Sequence, residues 1–287
     1  MSPKHKFLSI LSTFCSPIRS IDSFQAIVEE IGRIEEVVHW ADRFEKPKRW
    51  FKDNPDWLSR VFDMADLLVR QGAEVIYPGH DLYAKAFYGL LDPPVFLSVK
   101  GNKELIASED SLTLVGSRKM SDLSRQWIER ELSGEFPYSA TVSGGARGVD
   151  QCVHINSVMM GIPTVVVLPC PLSQIYPRSL SEHIDSVLCG DGAVVSEFAI
   201  SGPVLPGYFH LRNRLLAALG SATVVVQAGM RSGTVVTAQH AAKLRGEVFC
   251  VSSHPVDQDF RGNQWLISEG AEPISSIYEI KDLMRCN

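Results

Sequence analysis

Leu112-Thr-Leu-Val-Gly-Ser-Arg-Lys119 and Ala140-Thr-Val-Ser-Gly-Gly-Ala-Arg-Gly-Val-Asp150 are the stretches on which the fold turns. Each is a short, β-branched apolar run that stops at glycine and gives way to helical periodicity, Asp122 to Leu132 in the first case and Val149 to Met160 in the second. The same rhythm continues through Pro163 to Leu168, Gly192 to Ser196, Ala222 to Gln227 and Glu247 to Val251, with further helical stretches at Leu211 to Leu219 and Thr234 to Leu244. Near-continuous apolar strands alternating with helices are buried on both faces. The pattern therefore predicts an α/β fold with a doubly wound, mostly parallel sheet.

Working outward from this core, residues 1–72 read as a small helical N-terminal module of three or four helices. Its clearest helix starts at an Asn54 cap with Pro55 in the first turn, carries Leu58, Phe62, Ala65 and Leu68 on one face, and stops at Gly72. Ser23 to Ile31 and Arg33 to Phe44 have similar spacing, with a Lys46-Pro-Lys-Arg turn behind them. Residues 74–101 are extended and Pro-rich, which suits a linker feeding an edge strand at Val95 to Val99. The expected division is thus a helical module at 1–72 and a sheet domain at 73–287.

The chain has 287 residues, 45% hydrophobic, enough for a sizeable core. With 28 Lys and Arg against 33 Asp and Glu, its formal net charge is −5, which excludes a polybasic binder that works by bulk charge. Any contact with nucleic acid must use a local positive pocket. The six cysteines, Cys15, Cys152, Cys170, Cys189, Cys250 and Cys286, are scattered without a C-x-x-C pair, so neither a disulfide framework nor a metal site is expected. The short, Ser-broken apolar block after the basic start reads as mature protein, and no stretch approaches the length of a membrane span. A reducing cytoplasm is the expected setting.

In such a sheet, ligands bind outside the carboxyl ends of the strands, where loops enter helix N-termini. Three glycine-bearing loops meet that description: Gly116-Ser117-Arg118-Lys119, Ser143-Gly144-Gly-Ala-Arg147-Gly-Val-Asp150, and Ala228-Gly-Met-Arg231-Ser232-Gly233-Thr234. Glycine lets backbone N–H groups approach an anion, and arginine can grip a phosphate by paired hydrogen bonds. One such glycine is often only a tight turn, but three at one edge point to a phosphate-bearing ligand. A fourth element, Phe209-His-Leu-Arg212-Asn213-Arg214, enters the helix at Leu215. Arg212 and Arg214 diverge by about 200° on a helix, so one is expected to reach a ligand while the other braces the fold. An exposed Phe209 would offer a ring on which a base can stack.

Signatures of familiar catalysis are missing, among them a P-loop, a dinucleotide fingerprint and H-E-x-x-H, so the chain reads as a binder and not an enzyme. His154 is expected to make a structural pair with Asp150, Glu197 to clamp an arginine, and Cys170 to be an inert turn cysteine. No cofactor is implied.

These loops, in this order, resemble the DNA-processing protein A family (DprA, or Smf). The matching residues are Tyr77-Pro78, Asp92-Pro-Pro with Lys100-Gly101, Val115-Gly-Ser-Arg118, Ser143 to Asp150 with His154, Tyr176-Pro177, Ser196-Glu197, Phe209 with Arg212-Asn-Arg214, Ser232-Gly-Thr234 with Thr237-Ala238, and Gly262-Asn263 with Gly270-Ala271. The resemblance spans about residues 75–275. It implies an extended Rossmann-like domain that binds single-stranded DNA, forms a homodimer, protects incoming strands and assists loading of the recombinase RecA in natural transformation. Carried over, it implies a nucleic-acid pocket of Gly116, Ser117, Arg118, Ser143, Gly144, Arg147, Phe209, Arg212, Asn213, Arg214, Ser232, Gly233 and Thr234. Charge reversal at Arg118 or Arg212 is then expected to abolish binding and leave stability nearly intact. Two departures stand out. Some relatives have a basic residue where this chain has Pro206, and many carry a winged-helix tail for which the sequence up to Asn287 has no room.

The competing class is a Rossmann-like nucleotide-processing hydrolase that cleaves nucleoside monophosphates at the glycosidic bond. Such enzymes carry a Pro-Gly-Gly-x-Gly-Thr-x-x-Glu motif, and the corresponding Ala228 to Val236 segment lacks its glutamate.

Overall fold

A computed structural model describes residues 3–15, 18–200, 202–252 and 258–286. Met1, Ser2, the Cys286 side chain and Asn287, which entered the sequence reading, lie outside the described residues.

The frame is a nine-stranded sheet: β1 (Ala73–Ile76), β2 (Leu97–Gly101), β3 (Ser111–Gly116), β4 (Ala140–Ser143), β5 (Thr164–Leu168), β6 (Ala193–Ser196), β7 (Ala222–Gln227), β8 (Val248–Val251) and β9 (Glu272–Ile274). Their order across the sheet is β1-β2-β6-β5-β4-β3-β7-β8-β9. Pairings from β6 to β9 are parallel, and β1 and β2 add an antiparallel edge beside β6. This is the doubly wound, mostly parallel α/β architecture that the strand–helix rhythm predicts.

Alternation along β7 explains why its apolar run is unbroken. Val224 and Val226 pack on one face with Trp127, Ile128 and Val153, whereas Val225 packs on the other with Leu215, Leu219 and Ala238. Strands covered on both faces have no polar side to present. The Asp122–Glu131 and Val149–Met159 helices occupy the first face, and the Pro206–Leu219 and Gly233–Leu244 helices the second. The chain therefore leaves β3 towards one face and β7 towards the other, and a crevice opens between these adjacent strands.

The N-terminal helices build a separate core from Leu8, Leu11, Phe24, Ile27, Val37, Val61 and Leu68, and Val75, Tyr77, Val95 and Phe96 of the sheet edge join it. Four readings differ from the structure. Where three or four helices are expected, the described residues form five α-helices, Pro3–Phe14, Ile21–Glu30, Val37–Ala41, Glu45–Asp53 and Trp57–Arg70, because two short ones share the segment after Ile31. Asn54 does not open the long helix, which runs Trp57–Arg70 behind Asp56; instead Asn54 ends the preceding helix, donates to the Trp50 carbonyl at 2.8 Å and accepts from Arg60 at 2.9 Å. The expected Lys46-Pro-Lys-Arg turn lies within that preceding Glu45–Asp53 helix, where Pro47 falls in the first turn and forfeits no intrahelical donor. The expected linker contains strand β1, which follows the Gly72 stop directly and was hidden by its shortness. Gly72 has φ +67, the left-handed conformation that ends a helix.

Candidate nucleic-acid interface

A cleft of about 890 Å³ occupies the crevice between the ends of β3 and β7. Its walls are Gly116 to Lys119 after β3, Gly229 to Thr234 after β7, and the first two turns of the Pro206–Leu219 helix. The loops are held by side chains at the strand ends. Ser117 N–H donates to the Gln227 carbonyl at 2.8 Å, and the Gln227 amide accepts from Ser121 N–H at 2.9 Å and Ser124 Oγ at 2.7 Å while donating to the Lys119 carbonyl at 3.1 Å. On the other side, Asn263 accepts from Ala228 N–H at 2.7 Å and donates to the carbonyls of Val225, Val226 and Val251. Both strand ends are thus buttressed from below, and the tips of their loops stay in solvent.

Phe209 lies half-buried at the cleft wall, with the Arg118 guanidinium carbon 5.2 Å from its ring centroid and the Tyr176 ring edge-on at 5.9 Å. Arg118 is exposed, as are Lys119, Arg231 and His210 around the same opening. An aromatic face next to Arg118, Lys119 and Arg231, which have no ion-pair partner among the described residues and outnumber the one exposed carboxylate of the described lining, Asp259, is a local positive and stacking surface in an acidic protein.

The other arginines have different fates. Arg212 is 4% exposed and donates to the carbonyls of Gly144 and Val167, at the carboxyl ends of β4 and β5, and to Asn213 Oδ1 at 3.2 Å. Burial holds its pKa down to about 10, with the Asp150 carboxylate opposing that shift. Its guanidinium borders the cleft from behind, so it contributes field there but is not a free grip for a phosphate. Arg212 thus departs from the expectation that it can be reversed without loss of stability: its donors satisfy buried carbonyls. Arg214 points away from the cleft lining, pairing with Glu197 and donating to the Asp92 carbonyl at 2.7 Å. One of the two therefore borders the ligand edge and the other braces the fold, as their divergence requires, and Glu197 is the expected arginine clamp. Arg147 is exposed on its loop and has no ion-pair partner among the described residues.

The glycines serve protein contacts more than ligand contacts. A Cβ at Gly116 would meet the Val149 side chain at 2.6 Å, and one at Gly144 would meet the Arg212 guanidinium carbon at 2.6 Å. Ser143 is buried and donates to the Leu114 carbonyl at 2.7 Å, and Thr234 is 8% exposed on the cleft wall. Ser232 caps the Gly233–Leu244 helix, Gly233 is exposed, and Asn213 ties that loop by donating to the Gly233 carbonyl at 3.1 Å. Of the thirteen sequence candidates, the cleft gathers Gly116, Ser117, Arg118, Phe209, Arg212, Asn213, Ser232, Gly233 and Thr234; Ser143, Gly144, Arg147 and Arg214 lie outside its lining.

His154 corrects another expectation. Its Nδ1 is 2.8 Å from Thr164 Oγ1, and Asp150 instead accepts from Ala146 N–H at 3.2 Å. Burial, with help from Arg212 and His183, holds the His154 pKa down to about 3, whereas burial raises that of Asp150. Cys170 is buried and its thiol is pushed up to about 11, consistent with an inert turn cysteine. Neither Tyr176 nor Lys119 is among the thirteen candidates, although the sequence shows Tyr176 in a family-matching Tyr-Pro pair and Lys119 at the end of the first glycine loop. The place of Tyr176 beside the Phe209 ring comes from packing between segments distant in the chain.

Residues 74–285 match the family described as DNA recombination-mediator protein A. Over 196 residues the chain is 30% identical to DNA processing protein DprA of Streptococcus pneumoniae, covering 68% of this chain and 69% of that protein. It is 31% identical over 201 residues to Protein Smf of Escherichia coli, covering 70% of this chain but 54% of that one, so it spans about half of this longer relative. Among solved structures, DprA of S. pneumoniae superposes with a TM-score of 0.69 at 28% identity, covering 79% of this chain and 80% of that one. DNA processing protein A of Helicobacter pylori, described for its single-stranded DNA binding mode, superposes with a TM-score of 0.65 at 28% identity, covering 74% of this chain and 96% of that one. No described helix is long and apolar enough to cross a membrane.

Proposed function

The chain belongs to the DNA recombination-mediator protein A family, and on that premise we propose that its cleft binds single-stranded DNA without cleaving it. The observation that carries this reading is the Phe209 ring in the cleft wall, with Arg118 over it at 5.2 Å. A splayed base stacks on the ring, and Arg118, Lys119 and Arg231 meet the flanking phosphates. Gly116, Ser117, Asn213, Ser232, Gly233 and Thr234 shape the loops around the strand, with Arg212 supplying positive field from behind. Duplex DNA keeps its bases stacked on each other and cannot use the ring.

The wider role follows the family: the protein protects incoming strands in the cytoplasm, acts as a homodimer and assists RecA loading in natural transformation. The division into a helical module at 1–72 and a DNA-binding domain at 73–287 belongs to the same proposal. Its support is that the N-terminal helices pack a core distinct from those that cover the parallel strands, its other buried residues being those of the sheet edge and Ala199.

Fluorescence anisotropy with single-stranded and duplex oligonucleotides of equal length, across a salt series, tests the reading. Preference for the single strand and a steep loss of affinity with salt are expected. Equal affinity for both forms would refute it. Incubation with nucleoside monophosphates tests the hydrolase alternative, for which Thr237 stands where the glutamate of Gly-Thr-x-x-Glu is required after Gly233-Thr234; no free base is expected.

A further inference from the structure

Beyond the cleft, on the β4 and β5 side, lies a second surface, which includes Arg147, a residue that the resemblance places in the pocket but that the cleft lining does not include. Tyr176 is 44% exposed although its ring touches Phe209, so one ring edge meets the cleft wall while much of the ring remains open to solvent. Two residues further, Arg178 is exposed with no ion-pair partner among the described residues. The loop carrying them is fastened to the Arg147 loop. Gln151 Nε2 donates to both Ser179 Oγ at 3.0 Å and the Gly145 carbonyl at 3.1 Å, and Gly145 abuts the Leu180 side chain so closely that it has no room for a Cβ. Arg147 and Arg178 therefore stand on two loops locked into one ledge, with Tyr176 between that ledge and Phe209.

Three features coincide here. An exposed ring continues the aromatic surface of the cleft, two arginines on the tied loops lack carboxylate partners among the described residues, and side-chain hydrogen bonds hold those loops together. Exposed guanidiniums with no acidic partner among the described residues leave local positive charge on a protein of net charge −5, which an anionic ligand can answer. A polynucleotide leaving Phe209 presents alternating bases and phosphates, which match a ring followed by cations.

We propose that Tyr176, Arg178 and Arg147 form a second subsite for single-stranded DNA, which receives the stretch of strand emerging from the Phe209 cleft. This rests on the cleft reading and extends it: the cleft holds the first bases, and the ledge adds affinity only for strands long enough to reach it. Tyr176 stacks a base, and the two arginines meet phosphates on either side of it.

The test measures binding of the full chain to oligo-dT of about 5 and of about 20 nucleotides, lengths that fall inside and beyond common single-strand site sizes. Arg178→Glu is expected to weaken the longer oligonucleotide about fivefold or more and to lower its salt slope by about 0.7 per lost phosphate contact. The shorter one should bind within about twofold of the parent. Tyr176→Ala is expected to lose affinity for the longer strand by a factor of about five or more, as removal of a stacking ring does, and Tyr176→Phe to restore it. The subsite is overturned if Arg178→Glu and Tyr176→Ala bind the long strand like the parent, or if Arg178→Glu weakens both lengths equally. If the parent binds neither length, the cleft reading fails and this one falls with it.

Discussion

Arg214 and Glu197 face each other as a two-pronged ion pair, Nη1 to Oε2 at 2.9 Å and Nη2 to Oε1 at 2.7 Å, with side chains 6% and 5% exposed. Arg19 of the N-terminal region approaches the same carboxylate at 3.8 Å, and the Asp92 carbonyl takes the Arg214 Nε–H. The pair thus joins the Pro206–Leu219 helix, the end of β6 and the segment before β2. Removing one partner strands a buried charge. Arg214→Ala or Glu197→Ala is expected to lower unfolding free energy by about 3–5 kcal/mol in urea denaturation. A loss below about 1 kcal/mol would show that the pair does not brace the fold.

Arg118 is the opposite case. It is exposed and contacts the face of Phe209, so Arg118→Glu should change stability by no more than about 0.5 kcal/mol while abolishing oligo-dT binding at moderate salt. Phe209→Ala should weaken single-strand binding by about 1–3 kcal/mol and affect duplex binding far less. Parent-like anisotropy titrations for both variants would remove the cleft from consideration.

Gly148 links two of the site loops. It has φ +83 and ψ −126, a region that side chains avoid, and a Cβ there would meet the Arg118 carbonyl oxygen at 2.7 Å. Its neighbour Val149 donates to the Ser117 carbonyl at 3.1 Å. Gly148→Ala is therefore expected to cost about 2 kcal/mol or more and to displace the Ser117–Arg118 loop, lowering DNA affinity as well. Denaturation and anisotropy on the same sample check both effects, and unchanged stability would contradict the close approach.

His154 sets a pH dependence. Its folded pKa of about 3 lies below the ordinary value of 6.5, so between these limits the unfolded chain binds a proton that the native protein does not. Stability from this group is complete above about pH 6.5 and is lost as pH falls towards 3, with a slope of up to about 1.4 kcal/mol per pH unit. His240, also lowered by burial, adds in the same direction; Asp150, raised by burial, opposes it at the acidic end. The informative quantity is the difference between parent and His154→Asn, which should flatten the stability profile between pH 6 and pH 4, as read by urea midpoints at each pH. Parallel profiles would mean that His154 is not held neutral.

The fold class was legible because its determinants are local in sequence. Each buried strand announces itself by an apolar run, each helix by its periodicity, and each loop of the ligand edge by the glycine between them. Elements without such a signature were missed or misread: β1 is four residues long, and Pro47 in a first helical turn looks like a turn breaker when its neighbours are unknown. Two of the glycine loops that line the cleft were visible in the sequence, and so was the divergence of Arg212 from Arg214 on one helix.

From its residues alone, this protein was committed to an α/β sheet with glycine loops, arginines and an aromatic at one edge. Which of those arginines is free was decided by partners distant in the chain: Gly144 and Val167 for Arg212, Glu197 and Asp92 for Arg214, and no carboxylate for Arg118 among the described residues. A guanidinium is available to a ligand only if no buried acceptor has already taken its donors. That condition depends on where strand ends and loops meet in space, which periodicity along the chain does not encode.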